Sequence, residues 1–113
     1  MTLLQIEAHD HDGGLAHVVL IGELDLSTIA KVEQELARIE GEAPATLALD
    51  LSRLTFLDSS GLRVIVSADK RARRENRRFV VVRGPETVQR VFSITRLDQQ
   101  LELVDQLADL NQA

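Results

Sequence analysis

The chain has 113 residues, 44% of them apolar, a formal net charge of −5 and no cysteine. Those figures suit one domain spanning 1–113 with a single core, and they exclude a disordered chain, disulfides and thiolate metal sites. The acidic balance argues against nucleic acid as the main partner, and no apolar run approaches the ~20 residues that a membrane span needs. The core must be aliphatic, since Phe56, Phe79 and Phe92 are the only aromatic residues. The N-terminus lacks the basic and apolar regions of a signal peptide, and with no cysteine present a cytoplasmic setting is expected.

Leu4, Ile6 and Ala8 alternate as a first strand. His9-Asp10-His11-Asp12-Gly13-Gly14 then carries the Asp-Gly and Gly-Gly signals of a hairpin turn. Leu15 to Ile21 reads as a second, antiparallel strand, apolar enough to be covered on both faces. Gly22-Glu23-Leu24-Asp25 closes it. Ser27 is the expected N-cap of a first helix, whose buried stripe is Ile29, Val32, Leu36 and Ile39 and which stops at Gly41 and Pro44.

The next stretch, Thr46 to Ala72, is a strand–turn–helix unit. Leu47, Leu49 and Leu51 alternate as a strand with at least one buried face. Ser52 to Leu57 reads as a connection. Asp58-Ser59-Ser60-Gly61 follows, and Leu62, Ile65, Val66, Ala68 and Ala72 then recur at helical spacing. In α/β folds the functional site lies beyond the carboxyl ends of the strands, where helix N-termini point. Asp58, Ser59 and Ser60 stand there. Free backbone N–H groups and the positive end of a helix dipole suit an anion at that place, including a phosphate on the hydroxyl itself.

The second helix ends in the basic run Lys70 to Arg78, with Asn76 as its stop. Phe79 to Val82 is a short strand. Gly84-Pro85 punctuates, and Pro85 fits the first position of a third helix with Val88, Val91 and Phe92 on its apolar face. Leu101, Leu103 and Val104 suggest a last strand, and Asp105 to Leu110 a small last helix. The order is ββαβαβαβα: an α/β fold with a mostly parallel mixed sheet, an antiparallel N-terminal hairpin and helices covering it.

Several constellations compete with plainer readings. His9 and His11 share a strand face and, with Glu7, Asp10 and Asp12, form a drawable metal cluster, but a solvated hairpin tip explains them with less. Leu57-Asp58-Ser59-Ser60-Gly61 is half of a serine-hydrolase elbow. Its base is missing, because His9, His11 and His17 all precede the serine. An aspartyl-phosphate receiver at Asp58 needs Mg²⁺ on further carboxylates and a cation for the phosphate, but neither Lys31 nor Lys70 sits at the end of a late strand and the N-terminal hairpin breaks the strict βα alternation. The basic run reads as a solvated helix end, or as a patch that meets an acidic partner. An N-cap accounts for Asp58 and permits two hydroxyls and a glycine after it, and a site would use all four.

Three features together resemble the STAS domain of bacterial anti-sigma factor antagonists. They are Gly22-Glu23-Leu24-Asp25, Leu57-Asp58-Ser59-Ser60-Gly61-Leu62, and Pro85 to Phe92 in the pattern P-x-x-V-x-R-x-[LF]. The resemblance implies the sheet already inferred and a binding module rather than an enzyme, with no cofactor and no metal. It implies that Ser59 is phosphorylated by an anti-sigma factor that is also an ATP-dependent serine kinase. Unphosphorylated, such an antagonist binds the anti-sigma factor and frees a sigma factor. Phosphorylated, it lets go, and a serine phosphatase resets it.

Carried onto this sequence, the partner surface comprises Asp25, Asp58, Ser59, Ser60 and Gly61, with Arg63 as a contact at the exposed start of the second helix. Ser60 and Gly61 are expected to allow close backbone approach. The alternative is a STAS module that is not phosphorylated and serves as a regulatory or structural subunit of a lipid-transport or stress-sensing complex. Two positions depart from the family pattern. Arg96 stands where a glycine often precedes Leu97, and Asp69 where a larger apolar residue is common.

Overall fold

The computed structural model describes residues 3–112. Among them the chain runs β1 (Leu4–His11), β2 (Leu15–Leu24), α1 (Ile29–Glu40), β3 (Thr46–Asp50), β4 (Leu54–Leu57), α2 (Ser59–Arg74), β5 (Arg78–Val82), α3 (Glu86–Ile94) and β6 (Glu102–Val104). Short 3₁₀ turns occupy Leu97–Gln99 and Leu107–Gln112. The sheet order is β1-β2-β3-β5-β6, with β4 beside β2. β1 and β2 are antiparallel, and the other pairings are parallel. This is the α/β architecture expected from the sequence.

The hairpin turn is shorter than the polar run suggested. β1 continues to His11, whose partner is Leu15, so the turn is Asp12-Gly13-Gly14 with positive φ at both glycines. β2 in turn runs past Ile21 to Leu24. Gly22 bends it at a register shift, at φ +114°, where a Cβ would stand 2.4 Å from the Leu3 carbonyl oxygen. Only glycine satisfies both conditions.

The stretch Ser52 to Leu57, read as a connection, contains β4. Four residues, half of them exposed, carry too short a pattern to signal a strand. The alternation of Leu47, Leu49 and Leu51 understated the burial of β3, because Ala48 and Asp50 are covered on the other face. Leu51 lies just after the strand and is fully buried.

Helix boundaries bring further corrections. Ser27 is not the N-cap of α1. Thr28 takes that place without a side-chain cap bond, and the Ser27 hydroxyl donates to Asp25 instead. Pro85 is the N-cap of α3 rather than its first helical residue. In α2 the buried stripe includes Gly61 and Val64, while Val66 is half-buried. The last element is the 3₁₀ turn Leu107–Gln112 rather than a small α-helix from Asp105.

One aliphatic core lies between the sheet and the helices, centred on Leu20, Leu24, Leu36, Leu49, Leu54, Ile65 and Phe92. A smaller cluster of Ala48, Val80 and Leu110 seals the opposite face of the sheet at its centre.

The basic run is more than a solvated helix end. Arg71 makes two hydrogen bonds to Glu40 at 2.7 and 2.9 Å and so ties α2 to α1. Arg77 is 4% exposed and stands between Glu75 at 2.8 Å and Glu40 at 3.5 Å. Arg73 pairs with Asp69 at 3.0 Å, so the departure at position 69 is used in an i,i+4 pair. Arg78 pairs with Glu102 across β5 and β6. Lys70 and Arg74 remain exposed.

Candidate functional site at the ends of β2 and β4

Leu24 and Leu57 are register partners on neighbouring parallel strands. The next residue on each strand is a carboxylate, Asp25 after β2 and Asp58 after β4. β4 therefore brings the two sequence motifs to one edge, beyond the carboxyl ends of paired strands.

Asp58 joins them. Its backbone is extended, at φ −107° and ψ −176°, and its N–H donates to the Leu24 carbonyl at 3.3 Å. One carboxylate oxygen accepts the Gly61 N–H at 3.0 Å, as an N-cap does. The other accepts the Leu26 N–H at 3.3 Å, in the loop after β2. The cap and the bridge between loops are thus the same side chain.

Asp25 organises its own loop. It accepts the Ser27 N–H at 2.9 Å and the Ser27 hydroxyl at 2.6 Å. Its N–H donates to the Thr28 hydroxyl oxygen, and that hydroxyl donates to the Glu23 carbonyl. The result is a stiff turn that presents Leu26, which is 72% exposed.

Ser59 is the first residue of α2 and is exposed. Ser60 is half-buried and Arg63 exposed. Gly61 is buried. A Cβ there would meet Leu24 Cγ at 2.6 Å and Leu57 Cδ1 at 2.8 Å. The glycine serves packing of α2 onto the ends of β2 and β4, and it offers no exposed backbone for a partner to approach. A shallow groove of about 220 Å³ separates the start of α1, with Leu26, Ile29 and Glu33, from the start of α2, with Ser60, Arg63 and Val64.

Sequence reasoning missed Leu26 and Phe56, which is 47% exposed beside Glu23. The available signal was a leucine inside a polar turn, outside any apolar periodicity.

The histidines lie elsewhere. His17 is seven residues before Leu24 on β2, about 23 Å along the strand, and His9 and His11 belong to the same hairpin end. No described imidazole is near Ser59. His9 and His11 do share a face, with ring centroids 6.0 and 5.8 Å from that of His17. Among the described residues no three of His, Cys, Asp and Glu are arranged to hold a metal ion. His17 Nε2 lies 2.8 Å from an Asp50 carboxylate oxygen, in a pair that is mostly buried. Burial pushes the Asp50 carboxyl up, but hydrogen bonds from Ser52 and His17 more than offset it and hold it below the ordinary carboxylate value.

Among the described residues no helix is long and apolar enough to cross a membrane. Residues 5–110 match the STAS domain. The chain is 30% identical to the anti-sigma-F factor antagonist RsfB of Mycobacterium tuberculosis, over 94% of this chain and 85% of that protein. It is 28% identical to an anti-sigma-B factor antagonist of Listeria monocytogenes, over 96% and 95%. A crystal structure of an anti-sigma factor antagonist from Mycobacterium paratuberculosis superposes with a TM-score of 0.86 at 30% identity, over 95% of this chain and 90% of that one. These relatives are named for regulation rather than for an enzymatic activity. With that match over residues 5–110 and 30% identity to a relative across nearly the whole chain, the chain belongs to the STAS domain family.

Proposed function

We propose that the chain is an anti-sigma factor antagonist switched by phosphorylation of Ser59. The observation that carries this reading is the placement of Ser59, exposed at the first position of α2 directly after Asp58, whose carboxylate accepts the Gly61 N–H of that helix and the Leu26 N–H of the neighbouring loop. Unmodified, this edge binds an anti-sigma factor that is also a serine kinase, and a sigma factor is freed. In the modification, the Ser59 hydroxyl oxygen takes the γ-phosphoryl group of ATP, ADP leaves, and the hydroxyl proton is lost. A serine phosphatase restores the hydroxyl by hydrolysis. The partner meets Asp25, Asp58, Ser59, Ser60 and Arg63. Gly61 contributes by fixing their backbone.

A phosphate adds about −1.5 to −2 charges at neutral pH. Ser59 is exposed, so the modified group stays in solvent and the fold is retained. The cost falls on the interface. A dianion about 6 Å from one partner carboxylate loses roughly 1.4 kcal/mol even in water, which is about tenfold in affinity. Two such contacts and a steric clash suffice to release the partner.

The test is binding of folded Ser59→Ala and Ser59→Asp variants to a candidate anti-sigma kinase with ATP present. Ser59→Ala is expected to bind constitutively and Ser59→Asp severalfold more weakly, since its single charge carries half the repulsion of the phosphate dianion. Equal binding by both would remove Ser59 from the switch and leave an unmodified STAS module of a larger complex.

A further inference from the structure

We propose that Arg63 is the internal counter-ion of phosphorylated Ser59, so that modification withdraws this guanidinium from the partner as well as adding negative charge. The inference rests on the reading of Ser59 as the phosphoacceptor and assigns Arg63 a part in its regulation.

Ser59 and Arg63 stand four residues apart on α2, and both are exposed. Residues at that spacing share a helix face with Cβ atoms about 5–6 Å apart. Helical side chains lean toward the helix N-terminus, so Arg63 leans over the turn that holds Ser59. It lines the groove beside Ser60, the residue after the phosphoacceptor. An anion N-terminal to a cation at i,i+4 is also the more favourable orientation.

Arg63 is available for this. Most arginines of the chain are engaged by carboxylates, from Arg38 on Glu35 to Arg90 on Glu86. Arg63 has no ion pair or hydrogen bond among the described residues. The other charged groups around the groove and the adjoining loops are acidic: Glu33, Asp25 and Asp58. Asp58 already holds the Gly61 and Leu26 N–H groups. A phosphate on Ser59 therefore enters a neighbourhood of carboxylates in which Arg63 is the one cation lining the groove. Guanidinium and phosphate make short, two-pronged, charge-assisted bonds.

The consequence is a switch with two effects of the same sign. In the unmodified protein Arg63 points a free cation at an acidic group of the partner. In the phosphorylated protein that cation is paired within the chain. The partner's carboxylate then loses an attraction and gains a repulsion, and no rearrangement of the backbone is needed.

The test uses protein synthesised with phosphoserine at position 59, so that it depends on no kinase. The ³¹P resonance is titrated with pH at low salt in the parent sequence, in Arg63→Gln and in Arg63→Lys. The second phosphate pKa, ordinarily near 6, is expected to lie about 0.2–0.4 pH unit lower in the parent than in Arg63→Gln. The lysine variant should keep most of that difference, and added salt should shrink it. Equal midpoints in the parent and Arg63→Gln would overturn the pairing. Against the candidate anti-sigma kinase, Arg63→Gln should also narrow the affinity ratio between unmodified and phosphorylated forms by several-fold, and an unchanged ratio would overturn the withdrawal of Arg63 from the partner. If no kinase modified Ser59, the switch itself would fall, while the ³¹P midpoints would still decide the pairing.

Discussion

A Cβ built on Gly61 stands 2.6 Å from one leucine carbon and 2.8 Å from another, and 2.9 Å from the Leu24 carbonyl oxygen. Neither the helix nor the strand ends can yield without disturbing the Asp58 cap. Gly61→Ala is expected to cost about 1–3 kcal/mol by overpacking, read as a lower urea midpoint with an unchanged slope. Arg96 is the opposite case. It holds φ +61°, a left-handed conformation in which a Cβ costs roughly 1–2 kcal/mol. The departure at position 96 thus falls where glycine is favoured on backbone grounds. Replacing it with glycine recovers that strain but frees the unfolded chain by about 0.5–1 kcal/mol. Arg96→Gly is expected to gain about 0.5–1 kcal/mol net in the same urea assay.

At the scale of elements, β4 decides the geometry of the site, and it was the element least legible in the sequence. Leu54–Leu57 offers one turn of alternation and sits directly after Ser52-Arg53, so it read as loop. α2 was legible because sixteen residues of helical spacing follow a capping Asp. The motif residues Asp25 and Asp58 were found as motifs. That they are successors of register partners required the sheet. Ser27 is not the capping residue because it sits inside the Asp25 turn, where its N–H and hydroxyl both donate to that carboxylate, and the helix starts only at Ile29. The pair between His17 of β2 and Asp50 of β3 makes a separate prediction. The Asp50 carboxyl is held below its ordinary value in the folded chain, so it binds a proton more readily when unfolded. Its stabilisation is present above the unfolded value of about 3.9 and is lost as pH falls through the lower folded value. Urea midpoints should therefore drop on acidification below about pH 4, and Asp50→Asn should flatten that part of the profile. A variant profile as steep as the parent's would count against the pair.

For the whole molecule, the sheet and α2 share one core, and Ser59 stands exposed at its rim. Arg71 and Arg77 on Glu40 lock α1 to the end of α2 opposite Ser59. The run that looked like a partner patch is mostly engaged inside the chain, and the proposed partner surface lies at the other end of α2. A phosphate on Ser59 should accordingly leave the unfolding transition nearly unchanged while altering affinity for the partner. The central claim is tested most directly by intact mass and site mapping after incubation with ATP and a candidate anti-sigma kinase. The account predicts a single phosphate on Ser59, absent in Ser59→Ala. Stable binding to the kinase with no phosphate at Ser59, or a phosphate elsewhere with Ser59 untouched, would contradict it.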